Sequence, residues 1–118
     1  MQYMLLILGD EKMMNAATVV DDTGMSAEYA VYNEAMMKAG VIRGGERLRP
    51  TSATTSIRVR DKKAVVLDGP YAETQEQLGG YYIIETKDLD EAIDWAKKCP
   101  AAQFGTVELR PIWPTVRQ

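Results

Sequence analysis

The chain has 118 residues, a formal net charge of −3 and no histidine. This length suits one domain, and the negative charge with scattered arginines excludes a basic field that would attract nucleic acid. The single cysteine, Cys99, excludes an intrachain disulfide and suits a reducing cytoplasm. We interpret Cys99 as a small buried hydrophobe near a helix end.

The first ten residues, MQYMLLILGD, predict a buried strand. They lack the basic start and the cleavage site of a signal peptide, and the apolar run Met4 to Leu8 is too short to span a bilayer. Tyr3 to Leu8 is apolar on both alternating faces, which is typical of a strand covered on both sides. We therefore expect a cytoplasmic protein that does not enter a membrane.

A first helix is predicted after the loop signals Asp21-Asp22 and Thr23-Gly24. Ser26 suits its N-cap and Gly40 its C-terminal stop. One stripe of the helix recurs at helical spacing and comprises Tyr29, Tyr32, Asn33, Met36 and Met37, while Glu28, Glu34 and Lys38 lie off it.

A second helix is predicted to begin at Asp88. Glu91, three residues later, completes a capping-box pattern, and Pro100 halts the helix. Its buried stripe is predicted to comprise Leu89, Ala92, Ile93 and Ala96.

The other apolar segments predict strands. Val41 to Leu48 contains Gly44-Gly45, and a glycine pair inside a strand indicates a bulge or a close backbone approach. Ser56 to Arg60 and Ala64 to Leu67 form a predicted hairpin with one wet face. The last two predicted strands are Tyr81 to Glu85 and Thr106 to Ile112.

The element order is therefore β-α-β-hairpin-β-α-β. This order indicates an α+β domain of the ferredoxin-like, split βαβ plan with an inserted β-hairpin. Two helices cover only one face of such a sheet, yet the first strand is apolar on both faces. We expect another copy of the chain to cover the second face, which makes the protein a homodimer.

Residues 65 to 94 read VVLDGPYAETQEQLGGYYIIETKDLDEAID, and their DGP-x-AET-x-EQLGG run resembles the DGPF-type branch of the YciI-like, or YCII-related, family. The segments MQYMLLILGD, AGVIRGGERLRP and FGTVELRPI resemble other parts of that family, so the resemblance spans nearly all of residues 1–118 as one domain. It implies a ferredoxin-like protomer that pairs sheet to sheet into a dimeric α+β barrel. It also implies a bacterial protein of largely unassigned role, often encoded beside extracytoplasmic-function sigma factors.

The sequence departs from the family pattern at informative positions. Tyr71 stands where the branch usually has Phe, and Gln75 stands where Lys is common. Members outside the branch pair a histidine with an aspartate in a proposed acid–base role. Asp68 can correspond to that aspartate, but this chain has no histidine, so the dyad is not transferred to it.

The best candidate site in the sequence is the segment from Asp68 to Gly80. Asp68, Glu73 and Glu76 are concentrated among three glycines there, and a carboxylate in a cleft can act as an acid or base. The alternative is a structural turn, in which Asp68 bonds its own loop amides and the glutamates are solvated.

Other candidate ligand-binding side chains lie on the predicted strands. Arg47 and Arg49 can bind a carboxylate ligand through forked donors, or pair with surface acids. Tyr3, Tyr81 and Tyr82 can line a pocket, or serve as core or interface rings. We expect no metal and no cofactor, because histidine and paired cysteines are absent and neither glycine pair is followed by Lys-Ser or Lys-Thr.

Two classes of function fit these features. The first is a small-molecule-binding protein of accessory or regulatory role. The second is a small enzyme that uses Asp68 or Glu73 as general base, while Arg47 or a tyrosine holds an anionic metabolite. The absence of a nucleophile–base pair favours the first class.

Overall fold

The structure, a computed structural model, describes residues 1–14 and 26–114. The predicted loop signals at Asp21-Asp22 and Thr23-Gly24 lie outside these residues. The described strands are β1 Gln2–Gly9, β2 Ile42–Arg47, β3 Thr55–Arg60, β4 Lys63–Asp68, β5 Gln77–Glu85 and β6 Thr106–Pro111. The described helices are α1 Glu11–Met14, α2 Ala27–Ala39 and α3 Leu89–Lys98, and short 3-10 turns occupy Thr51–Ala53 and Pro100–Gln103.

Four strands form one antiparallel sheet in the order β2-β5-β1-β6. In the chain, α2 lies between β1 and β2, and α3 lies between β5 and β6. This is the ferredoxin-like arrangement, so the predicted α+β fold is confirmed. One face of β1, formed by Tyr3, Leu5 and Ile7, is buried in a single core with residues of both helices, including Met36 and Ala92.

Local chemistry sets the helix ends where the sequence predicts them. The Ser26 hydroxyl accepts a hydrogen bond from the Tyr29 N–H at 3.3 Å. Gly40 ends α2 in the left-handed conformation with φ of 70°. The Asp88 carboxylate accepts from the Glu91 N–H at 2.9 Å and caps α3.

Three predictions differ from the structure in detail. Met37 and Leu89 were expected in the buried stripes, but both are exposed. Met37 is one residue, about 100° of helix rotation, beyond the buried Met36, and the α3 stripe is buried only from its second turn onward. β5 begins at Gln77 rather than Tyr81, because backbone pairing with β1 extends through the two glycines.

The hairpin of β3 and β4 forms a separate two-stranded sheet. Its turn places Asp61 and Lys62 at positive φ, which matches the right-handed twist of the strands. The hairpin was predicted to expose one face to solvent, but both of its faces are exposed. All residues of the two strands except Ser56 are exposed, because neither face packs on the four-stranded sheet.

The face of the four-stranded sheet opposite the helices is apolar in its centre and is called the open face below. Register places Tyr81 beside Leu6 and Ile83 beside Met4 on the two central strands, with Leu8 further along β1. On the outer strands, the residues paired with these apolar side chains are charged. Glu46 lies beside Tyr81, Glu108 beside Leu6 and Arg110 beside Met4. The apolar residues in the centre of this face are half-buried and lie outside the core that β1 forms with the helices.

Candidate functional site

One end of the sheet gathers polar side chains from four segments. Because neighbouring strands are antiparallel, the last residues of β1 and β2 lie beside the first residues of β5 and β6. Register therefore places Arg47, Gln77 and Thr106 at the same end of the sheet as Gly9. This group of residues is called the polar end below.

Glu11, the first residue of α1, organises the polar end. Its carboxylate accepts hydrogen bonds from the Thr51 N–H at 2.6 Å and from the Thr51 hydroxyl at 2.9 Å. Its own N–H donates to Oε1 of Gln77 at 3.0 Å. These bonds hold the segment that enters the hairpin against the ends of β1 and β5.

Asp68 lies at the base of the hairpin, where it pairs with Thr55 and is exposed. The next residue, Gly69, has φ of 103°, a conformation that favours glycine. The Gly69 N–H donates to the Thr54 carbonyl at 2.7 Å, and its carbonyl accepts from the Ser56 hydroxyl at 2.7 Å. The backbone bonds of Gly69 therefore join the two ends of the hairpin at its base.

The two glutamates of the loop differ in their surroundings. Glu73 is exposed. Glu76 is half-buried, and its carboxylate accepts a hydrogen bond from the Thr106 hydroxyl at 2.8 Å. Glu76 therefore connects the loop to β6 at the polar end. Of the residues predicted to bind a ligand, the structure thus brings Arg47 and Glu76 to the same end of the sheet.

Tyr82 lies on the helix-covered face instead. Its hydroxyl donates to Oδ1 of Asn33 at 2.5 Å, and its ring meets Tyr32 edge-on with centroids 5.7 Å apart. Burial raises the pKa of Tyr82 to about 12, so the phenol is protonated at neutral pH. The contacts of Tyr82 are those of a core tyrosine that joins the sheet to α2.

Cys99 is fully buried beside Tyr29, with the Tyr29 hydroxyl 3.8 Å from its sulfur. Burial is the main cause that raises the pKa of the Cys99 thiol, and it also raises the pKa of Tyr29. A buried thiol held in its protonated form is a weak nucleophile. The interpretation of Cys99 as a buried hydrophobe near a helix end is therefore confirmed.

Sequence reasoning did not identify Glu11 or Thr51. Their bond joins residues 40 positions apart, and no local pattern couples a glutamate in a one-turn helix to that threonine. The strand-ending Gly9-Asp10 was the only nearby signal. Within residues 1–14 and 26–114, no group of acidic or sulfur side chains is arranged to hold a metal ion. Among the helices in those ranges, none is long and apolar enough to cross a bilayer.

Comparison with known proteins places these features in a family. The model of the YCII-related domain matches residues 1–116. An uncharacterized protein of Rhizobium meliloti (strain 1021) is 34% identical over 114 residues, which cover 95% of this chain and 92% of that protein. The family match covers all the described helices, the four-stranded sheet and the inserted hairpin. The chain therefore belongs to the YCII-related family.

Proposed function

We propose that this protein is a homodimer that binds a small molecule between two copies of its sheet. The observation that carries the proposal is the open face. Its central residues are apolar and half-buried, and they lie outside the core that β1 forms with the helices. An apolar face rimmed by polar side chains is typical of an interaction or ligand-binding surface.

Pairing of two open faces encloses a chamber. Leu6 and Tyr81 line its middle, while Glu46 and Glu108 stand at the ends of the same row on the outer strands. This arrangement suits a compact molecule with an apolar body and hydrogen-bond donors that reach the carboxylates. Glu76, held by Thr106, lies at the polar end of the chamber.

Binding is favoured over catalysis by the surroundings of the candidate catalytic groups. Asp68 and Glu73 are exposed, and Cys99 is buried and protonated. A general base needs a defined position beside the proton that it removes. The carboxylate enzyme suggested by the sequence therefore remains the weaker candidate.

The proposed role is accessory or regulatory and cytoplasmic. The DGPF-type run from Asp68 to Gly80 supports this assignment, because proteins of that branch are often encoded beside extracytoplasmic-function sigma factors. The single, buried cysteine fits a reducing compartment. A direct link to such a sigma factor is part of the proposal.

Light scattering at micromolar protein tests the assembly. The parent is expected at twice the monomer mass of 13.2 kDa. Leu6→Lys places a charge in the centre of the open face and should give monomers, whereas Val31→Lys, at an exposed position of α2, should stay dimeric. A monomeric parent would remove the proposal.

A thermal-shift screen of metabolites tests the chamber. A hit should raise the melting temperature of the parent and of Glu73→Gln, and the shift should disappear in Tyr81→Ala. Tyr81 lies on the open face, whereas Glu73 is in the exposed loop. A hit that is lost in Glu73→Gln but kept in Tyr81→Ala would place the site in the loop and overturn the chamber.

A further inference from the structure

We propose that the β3–β4 hairpin is an arm that binds a second copy of this chain. The inference rests on the proposed homodimer and deepens it, because it assigns the hairpin a place in the interface beyond the open face. Four observations support it, namely an apolar face, a held base, a charge opposite to that of the rest of the chain and a large accessible surface.

One face of the hairpin is apolar. Register places Ile57 opposite Val66 and Val59 opposite Ala64, and Ile57 and Val66 are 65% and 64% exposed. A two-stranded hairpin is marginally stable in water without a packing partner. Four aliphatic side chains on one exposed face therefore indicate a surface that is covered in the working protein.

The base of the arm is fixed to the body of the protein. Glu11 holds Thr51, in the segment that enters the hairpin, and the Gly69 N–H donates to the Thr54 carbonyl and joins the two legs of the hairpin at its base. The guanidinium of Arg58 lies 3.7 Å from the centre of the Tyr71 ring, which ties the hairpin to the loop that follows it. An arm held in this way loses little conformational entropy when it binds.

Charge points to a second copy as the occupant. The hairpin, residues 55–68, contains four cationic side chains and two carboxylates, a net charge of +2. Because the whole chain carries −3, the remaining residues carry −5. A cationic arm is attracted to the acidic body of another copy, whereas the same body is repelled by an anionic membrane or nucleic acid.

The exposed area is large enough for such an interface. The accessible surface is 8780 Å², whereas a compact monomer of this mass exposes about 6,400 Å². The excess is about 2,400 Å² per chain, or about 4,800 Å² for two chains, which lies within the range of about 2,000–5,000 Å² that obligate homodimers bury in total. The radius of gyration, 16.2 Å, also exceeds the value of about 13 Å for a compact domain of about 100 residues.

Sedimentation equilibrium of paired double variants tests the arm. Ile57→Ser with Val66→Ser should weaken dimerisation at least tenfold. Val65→Ser with Leu67→Ser, on the opposite face of the same hairpin, should weaken it less than threefold. Both pairs are exposed in the monomer, so circular dichroism should show the parental fold. Equal dissociation constants for both variants and the parent would overturn the proposal.

Cross-linking of mixed isotopic dimers gives an independent readout. A carbodiimide joins lysines to carboxylates, and a mixture of ¹⁴N- and ¹⁵N-labelled chains separates links between chains from links within one chain. Lys62 or Lys63 should form hybrid links to acids of the other copy. If Lys62 and Lys63 form links only within one chain, the proposal that the hairpin binds a second copy is wrong. If Leu6→Lys still dissociates the dimer in that case, the proposed open-face homodimer stands.

Sedimentation with phosphatidylglycerol vesicles separates the second copy from a lipid surface. The parent should stay in the supernatant. Vesicle binding that is lost in the Ile57→Ser, Val66→Ser variant, together with unchanged dimerisation, would assign the arm to a membrane and overturn the proposal.

Discussion

The hydroxyl of Tyr82 donates a hydrogen bond to Oδ1 of Asn33 and thereby joins the centre of the sheet to α2. The ring of Tyr82 also meets Tyr32, whose hydroxyl donates to the Trp95 carbonyl at 2.7 Å in α3. The two tyrosines therefore connect β5 to both long helices. Their hydroxyls are polar groups inside the core, and each has a partner.

Tyr82→Phe should lower the free energy of unfolding by about 1 kcal/mol at pH 7, because it removes one hydrogen bond. The pKa of Tyr82 is about 12 in the folded protein, against about 10 for an unfolded tyrosine. The protonated phenol of Tyr82 therefore makes its full contribution to the free energy of unfolding below pH 10. This contribution is lost as the pH rises toward 12, because the unfolded chain releases the phenol proton at a lower pH than the folded protein does.

The stability difference between the parent and Tyr82→Phe should therefore narrow between pH 10 and pH 12. Urea unfolding at several pH values measures it, with Tyr71→Phe, at an exposed position, as the matched control. A difference that stays constant through this range would contradict the assignment of Tyr82 as the titrating phenol.

Gly45→Ala should cost about 2 kcal/mol, whereas Gly44→Ala should cost much less. A Cβ at Gly45 would lie 2.7 Å from the Tyr81 carbonyl oxygen and 2.7 Å from the Tyr82 ring. A Cβ at Gly44 would meet only Ile83, at 3.9 Å. Thermal or urea unfolding of the two variants measures the contrast, and equal costs would mean that the close approach at Gly45 is not the reason for the glycine.

Glu11→Gln should destabilise the protein by about 1–2 kcal/mol, because a charged acceptor of two Thr51 hydrogen bonds is replaced by a neutral one. Amide hydrogen exchange at Thr51 should accelerate in the same variant. Glu73→Gln, in the exposed loop, is the control and should change stability by less than about 0.5 kcal/mol. Unaltered exchange at Thr51 would show that Glu11 does not hold the entrance to the hairpin.

Asp88→Ala should cost about 1 kcal/mol, because the carboxylate that accepts from the Glu91 N–H is the cap of α3. Asp90→Ala, inside the first turn, removes only a favourable interaction with the helix dipole and should cost less. Urea melts compare the two. If Asp90→Ala is the more damaging, the start of α3 does not depend on its cap.

The candidate site was predicted in part. Arg47 was predicted as a forked donor to a carboxylate ligand and Glu76 as one of the loop carboxylates, and the structure places both at the polar end. Tyr82 was predicted to line a ligand pocket with its hydroxyl. The alternation of side chains along β5 instead points Tyr82 toward α2, where the hydroxyl bonds Asn33. Glu11 was missed because its partner, Thr51, is remote in sequence.

The sequence by itself determined the helix caps, the strand order along the chain and the apolar character of both faces of β1. These properties depend on side-chain chemistry and on periods of two or 3.6 residues, which are local. Only the tertiary structure decided that the hairpin stands apart with both faces exposed, and that Glu11 and Gln77 meet at one end of the sheet. These relationships depend on how segments far apart in the chain pair and pack, and local sequence patterns do not encode that geometry.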